Sequence, residues 1–166
     1  MSENYPSLTV LGNKVLEPRR DLETFPNPHP GEKVLITLQS KEFTCRCPVT
    51  GQPDFAKIIV EYVPAEKIVE SKSFKLFLWS FRDEAAFHEK VIGDIADFFM
   101  EKVRPYMVEV TGVFNPRGGI KITVATERTQ VDERAVKLRE EIKEALQSLR
   151  GVVSAEVDPL SGGKLQ

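Results

Sequence analysis

Between residues 33 and 127 the spacing of apolar residues changes from two to about three and a half and back to two, and this change of period sets the fold. "KVLITLQS" (33–40) puts Val34, Ile36 and Leu38 on one side and Leu35, Thr37 and Gln39 on the other, which predicts a strand. "AKIIVEYVP" (56–64) predicts a second strand, rich in β-branched residues and stopped by Pro64. "SKSFKLFLWSF" (71–81) then places Phe74, Phe77, Leu78 and Phe81 on one face of a helix. Residues 87–103 repeat that period through Val91, Ile92, Ile95, Phe98, Phe99 and Val103, with Pro105 as the limit. Strands return at 106–114 and 119–127, joined through "NPRGG", a hairpin turn in which glycine tolerates positive φ. The order ββααββ predicts a four-stranded antiparallel sheet with both helices on one face, an α+β layer. The other face, carrying Thr37, Gln39, Glu61, Glu109 and Thr111, is then wet or buried in an oligomer.

Outside this domain (32–127) the chain reads differently. Residues 1–31, with "FPNPHPGEK", form an arm draped over something else and not a folding unit. Residues 128–166 hold a helix over 131–150, striped by Val131, Ala135, Leu138, Ile142, Ala145 and Leu149 and suited to docking on the domain or on a neighbour. A short strand over 152–157 and a tail follow. At 166 residues the chain suits one domain with appendages. Its net charge of −2 gives no basic field for direct nucleic-acid binding or for an anionic membrane surface. No apolar run is long enough for a signal peptide or a membrane span, which points to the cytoplasm and to reduced thiols.

Both cysteines stand in "CRCPVTGQPDF" (45–55), a segment whose prolines and glycine predict a loop, neither helix nor strand. A disulfide across one residue would be strained. Three readings stay open on residue types alone: a small buried hydrophobe, a nucleophile at Cys47 activated by Arg46 or a distant histidine, and a zinc site built with His29 and His88. Against zinc, the spacing is not the usual C-x₂-C. Asp54 is either a turn aspartate or an acid–base partner of the thiol. His88 and Glu89 open the second helix, where an acid complements the dipole, but where a carboxylate can also accept two parallel N–H bonds from a guanine-like edge. "ESKSFK" (70–75) opens the first helix. It is a cap, and its exposed N–H groups beside Lys72 and Lys75 also suit phosphates.

Together "CPVTGQPDFA", "ESKSFKLFLWSFR", "FHE" and "NPRGGI" resemble, in order and spacing over residues 25–122, the NADPH-dependent 7-cyano-7-deazaguanine (preQ0) reductases, nitrile reductases of the queuosine pathway of tRNA modification. The chain looks like the family's single-module form. The resemblance implies the tunnelling fold, in which ββααββ subunits join side by side into a barrel, so that a homo-oligomer, typically of two stacked rings, carries active sites between subunits. It implies NADPH as cofactor, preQ0 as substrate and no metal. Cys47 would be the nucleophile that forms a thioimide, Asp54 the proton donor, and His88 an aid to proton transfer or a hold on the substrate. Glu89 would hold the purine edge, with Glu70 and Ser71 lining the pocket at the subunit boundary. Lys72, Ser73, Lys75 and Arg117 would hold the cofactor. Neither Cys45 nor the region after residue 127 has a role in the resemblance. Two enzymes on the same fold are the alternatives, an amidinotransferase acting on preQ0 in tRNA and a zinc-dependent pterin cyclohydrolase. A purine-binding protein with inert thiols is the non-enzymatic one.

Overall fold

The computed structural model, which describes residues 8–142 other than 16, 134 and 139, runs in the order β1 (Thr24–Pro26), β2 (Ile36–Arg46), β3 (Pro53–Val63), β4 (Lys67–Val69), α1 (Ser71–Trp79), α2 (His88–Lys102), β5 (Met107–Phe114) and β6 (Thr123–Thr129). The main sheet is antiparallel, in the order β2-β3-β5-β6, and both helices cover one face of it. The segment around the thiols differs from the sequence expectation. β2 continues through Cys45 and Arg46, and β3 takes up Pro53, Asp54 and Phe55, so only residues 47–52 remain as a loop.

A β-bulge accounts for this extension. Ser40 pairs with Ile58 and Phe43 with Ala56, so three steps on β2 match two on β3. One extra residue reverses the side-chain parity. Phe43 and Cys45 therefore face the same way as Ile36 and Leu38, into the core, and simple alternation fails after residue 40.

The core lies between sheet and helices. Phe43, Ile58, Val60, Tyr62, Val108, Val110 and Phe114 meet Phe74, Phe77, Val91, Ile95 and Phe99, all at most 6% exposed. α2 comes so near β5 that a Cβ at Gly112 would lie 2.5 Å from Ile92 Cδ1. Glycine is what permits that approach. The β5–β6 connection closes in a two-residue turn between Arg117 and Ile120, with Gly118 and Gly119 both at positive φ (56° and 80°). That is the hairpin geometry that "NPRGG" predicts, although β6 begins at Thr123, four residues later than its expected start.

The arm lies over α1. Arg19 N–H donates to Leu76 O at 3.2 Å, Glu23 N–H to Ser73 Oγ at 3.0 Å, and β1 pairs with β4. Neither three-residue strand carries a readable period. On the opposite sheet face, Ala135 and Ile142, in the helical stretch after residue 132, bury against Val63, Ala65, Tyr106 and Met107, and Asp132 Oδ1 accepts Ala135 N–H at 2.6 Å as a cap. The rest of the expected 131–150 helix, the strand at 152–157 and the tail lie outside the described residues. No described helix is long and apolar enough to cross a membrane.

Candidate active site

Residues 47–52 form one tight turn. Gly51 N–H donates to Cys47 O and Cys47 N–H to Gln52 O, both at 2.9 Å. A single helical turn aims successive N–H groups toward its start, where the Cys47 thiol sits. The Thr50 hydroxyl, the Thr50 and Val49 N–H groups and the Arg117 guanidinium donate toward the sulfur, and they lower its pKa to about 7. Arg46, the activator expected from sequence, instead pairs with Asp83. Thr50 is a residue the sequence reading missed. Its signal is a hydroxyl three places after the thiol in a turn begun by proline.

Cys45 is the opposite case. It is fully buried and pairs in register with Asp54 across β2 and β3. Burial, reinforced by the Asp54 charge, pushes its thiol up to about 11. It is a small core residue and not a competing nucleophile.

Asp54 is 5% exposed, and its two oxygens have different partners. Oδ1 lies 2.7 Å from Arg117 Nη2, and Oδ2 lies 3.4 Å from His88 Nε2. His88 reaches this position because the α1–α2 connection is pinned to the end of β2, with Arg46 N–H donating to Glu84 O (2.9 Å) and Ala86 N–H to Arg46 O (3.1 Å). Its ring stacks on Phe114, a second residue the sequence reading missed, since a phenylalanine ending a strand reads only as core. Glu89 is exposed in the first turn of α2 beside His88.

The residues of "ESKSFK" stand elsewhere. Glu70 is 4% exposed and caps α1, with Oε1 accepting Lys72 N–H and Oε2 accepting Ser73 N–H, both at 2.8 Å. Ser73 is buried against the arm, and Lys72 Nζ donates to Val10 O at 2.9 Å and to Asn13 O. Ser71 and Lys75 line a groove of about 720 Å³ between α1 and β2, together with Lys41, Trp79 and Arg82. Val69, beside Glu70, donates its N–H to Tyr62 Oη. Tyr62 is eight residues along β3 from Asp54, roughly 25 Å at strand rise. In one chain, then, Glu70 and Ser71 do not join Cys47. Among the described residues no three His, Cys, Asp or Glu side chains are grouped to hold a metal ion, and His29 stands in the arm, 3.4 Å from Glu32.

A thiol lowered to about 7 and linked through Arg117 to the buried Asp54 and its His88 partner, on an antiparallel α+β sheet, is an arrangement of the class suited to nucleophilic catalysis. The family model described as QueF-like protein matches residues 53–133. The NADPH-dependent 7-cyano-7-deazaguanine reductase of Anaeromyxobacter sp. (strain Fw109-5) is 56% identical over 112 residues, 68% of this chain and 91% of that protein. The protein of the same name from Syntrophus aciditrophicus (strain SB) is 48% identical over 125 residues, 75% of this chain and 89% of its own length. Among solved structures, the apo form of the archaeosine synthase QueF-Like aligns with a TM-score of 0.55 at 26% identity, over 59% of this chain and 96% of that one. The chain belongs to the family of NADPH-dependent 7-cyano-7-deazaguanine reductases, which are oxidoreductases. The α1–β2 groove fits such a cofactor, because Lys41, Lys75 and Arg82 offer cations for phosphates and Trp79 a ring for stacking.

Proposed function

We propose that the protein reduces the nitrile of 7-cyano-7-deazaguanine to the aminomethyl group with two NADPH, through a covalent thioimide on Cys47, as a step toward queuosine. The observation that carries this reading is the Arg117 guanidinium shared between a thiol lowered to about 7 and the Asp54–His88 pair. Cys47 Sγ attacks the nitrile carbon, and the nitrogen takes a proton from Asp54, so that C≡N becomes S–C=N–H. A nitrile is a poor hydride acceptor and a thioimide a much better one. Bound NADPH supplies hydride. After the first reduction the C–S bond breaks, Cys47 leaves as thiolate, and an imine remains to take the second hydride and a proton. His88 Nε2, 3.4 Å from Asp54 Oδ2, is placed to return the proton to the carboxylate. Glu89 accepts the N–H edge of the purine.

Glu70 and Ser71 complete the purine pocket from a second copy of the chain. Among the described residues β2 and β6 are the edge strands of the main sheet, and pairing β2 of one copy with β6 of the next is a head-to-tail contact of the kind that builds rings. Two such rings stacked as a tunnelling-fold barrel, with the polar sheet face turned inward, are the assembly we infer. Of the cofactor candidates in α1, Lys75 offers its ammonium to the groove, whereas Ser73 is buried against the arm and the Lys72 ammonium is held by Val10 O and Asn13 O.

The test is to mix purified protein with 7-cyano-7-deazaguanine and NADPH, following NADPH consumption and the amine product together. Two NADPH consumed per amine formed supports the reading. A thioimide that accumulates on Cys47 without NADPH consumption would overturn it in favour of a reaction without hydride transfer. Native mass spectrometry reports the ring.

A further inference from the structure

The family resemblance groups Arg117 with the cofactor residues, yet its contacts in this chain point to a different task. Arg117 Nη2 lies 2.7 Å from Asp54 Oδ1, 3.0 Å from Pro53 O and 3.3 Å from Gln52 O. Gln52 O is also the carbonyl that closes the nucleophile turn by accepting Cys47 N–H at 2.9 Å. One guanidinium therefore touches both the carbonyl that holds Cys47 in place and the carboxylate two residues further on. Its own backbone is fixed by the Arg117–Ile120 turn, and the neighbouring Asn115 N–H donates to Phe55 O at 2.9 Å.

We propose that Arg117 is a positioning residue that fastens the Cys47 turn to Asp54, so that nucleophile and proton donor keep one fixed separation. Because Arg117 takes Oδ1, Oδ2 is the oxygen left facing His88 and the one through which the proton passes. The charge at the base of the turn also favours the thiolate. Nη2 serves the Asp54, Pro53 and Gln52 oxygens while the same guanidinium also donates toward the Cys47 sulfur. The single nitrogen of a lysine, on a shorter and differently shaped head, would have to serve all four groups.

This inference rests on the reading that Cys47 and Asp54 carry the chemistry, and the experiment separates the two. Arg117→Ala and Arg117→Lys are compared with the parent by the pH dependence of Cys47 alkylation with iodoacetamide, which needs neither substrate nor cofactor, and by kcat and KM for NADPH. For Arg117→Ala the alkylation midpoint rises by about half a unit to one unit, and kcat falls about 100-fold, as for a misplaced reacting group. The KM for NADPH stays within about threefold, on the reasoning that uniform binding is untouched. Arg117→Lys restores the midpoint but leaves kcat at least about tenfold low. A KM for NADPH raised about tenfold or more, with midpoint and kcat intact, would identify a phosphate ligand and overturn the proposal. If Arg117→Ala does not fold by circular dichroism, Arg117→Lys decides through its kcat-against-KM split. Parent protein that consumes no NADPH with the nitrile overturns the reductase reading, and the alkylation midpoints then decide the positioning role alone.

Discussion

His88 lies flat on Phe114, with ring centroids 3.7 Å apart and planes 10° from parallel, while its Nε2 stands 3.4 Å from Asp54 Oδ2. One face of the imidazole is thus fixed by the end of β5 and its edge by the start of β3. The stacking partner restricts rotation, which a 3.4 Å contact to the carboxylate does weakly by itself. Phe114→Leu keeps apolar volume but removes the flat surface. Its kcat is expected to fall about tenfold, a part of what a positioned acid–base group supplies, with substrate affinity little changed. Phe114→Ala, at a site 2% exposed, also loses about 3–5 kcal/mol of stability. Steady-state kinetics beside thermal melts separate the two effects, and an unchanged kcat in Phe114→Leu removes the stacking from the mechanism.

The two thiols are expected to titrate far apart. The thiolate is the reacting form, so Cys47 alkylation climbs as pH rises through about 7 and levels off above it, whereas Cys45, held near 11 and buried, stays unlabelled in the folded protein. Thr50→Val removes the hydroxyl that contributes most to the lowering and moves the climb upward, toward the value of about 8.5 for a free cysteine. Peptide mass spectrometry across the pH range reads both sites in one sample. Equal labelling of the two cysteines at neutral pH would contradict this assignment.

How much of this was legible beforehand depends on the range over which each feature is encoded. Phe74, Phe77, Val91, Ile95 and Phe99 repeat at helical spacing, so α1 and α2 can be read locally and end within two residues of expectation. The extension of β2 through Cys45 could not be read, because the extra residue at the Ser40–Phe43 bulge is a backbone irregularity with no residue type of its own. The contrast between Cys45 and Cys47 follows from that extension, since strand parity buries the first and the turn leaves the second half-buried. Arg117 and His88 are far from Asp54 in sequence. Only the pairing of Ala56 with Phe114 and the pinning of Arg46 to the α1–α2 connection bring them together. The resemblance named Asp54 and His88 but gave no reason for Arg117 to face inward.

Glu70 has a structural duty that can be measured apart from any contact with substrate. Both its carboxylate oxygens cap α1, each accepting one N–H at 2.8 Å. Glu70→Ala should lower stability by about 1–2 kcal/mol, as loss of a helix cap does, which for a chain of this size lowers Tm by about 3–6 °C. Glu70→Gln keeps one oxygen acceptor, and its melting is expected to lie between the two. If Glu70 also lines the purine pocket of a neighbouring copy, Glu70→Gln raises KM for the nitrile by more than its Tm change accounts for. A KM equal to that of the parent would confine Glu70 to the cap.

Asp54→Asn isolates the proton from the scaffold. The amide oxygen can still accept from Arg117 Nη2, the contact made at 2.7 Å by the carboxylate, so the turn and Cys47 keep their support. What is lost is a group able to deliver a proton to the nitrile nitrogen as the C–S bond forms. Adduct formation is therefore expected to slow by about 100-fold or more, the scale of general acid catalysis, while affinity for 7-cyano-7-deazaguanine changes little. Rapid-quench mass spectrometry of the Cys47 adduct measures that step directly, with Cys47→Ala giving no adduct and Cys45→Ala giving the parental rate. The pH dependence adds an independent sign. In the parent the adduct rate is expected to rise with the Cys47 thiolate through about 7, and if the carboxylate is the proton donor Asp54→Asn keeps that rise at a lower ceiling. Parental turnover in Asp54→Asn would take the carboxylate out of the mechanism and leave His88 as the proton source.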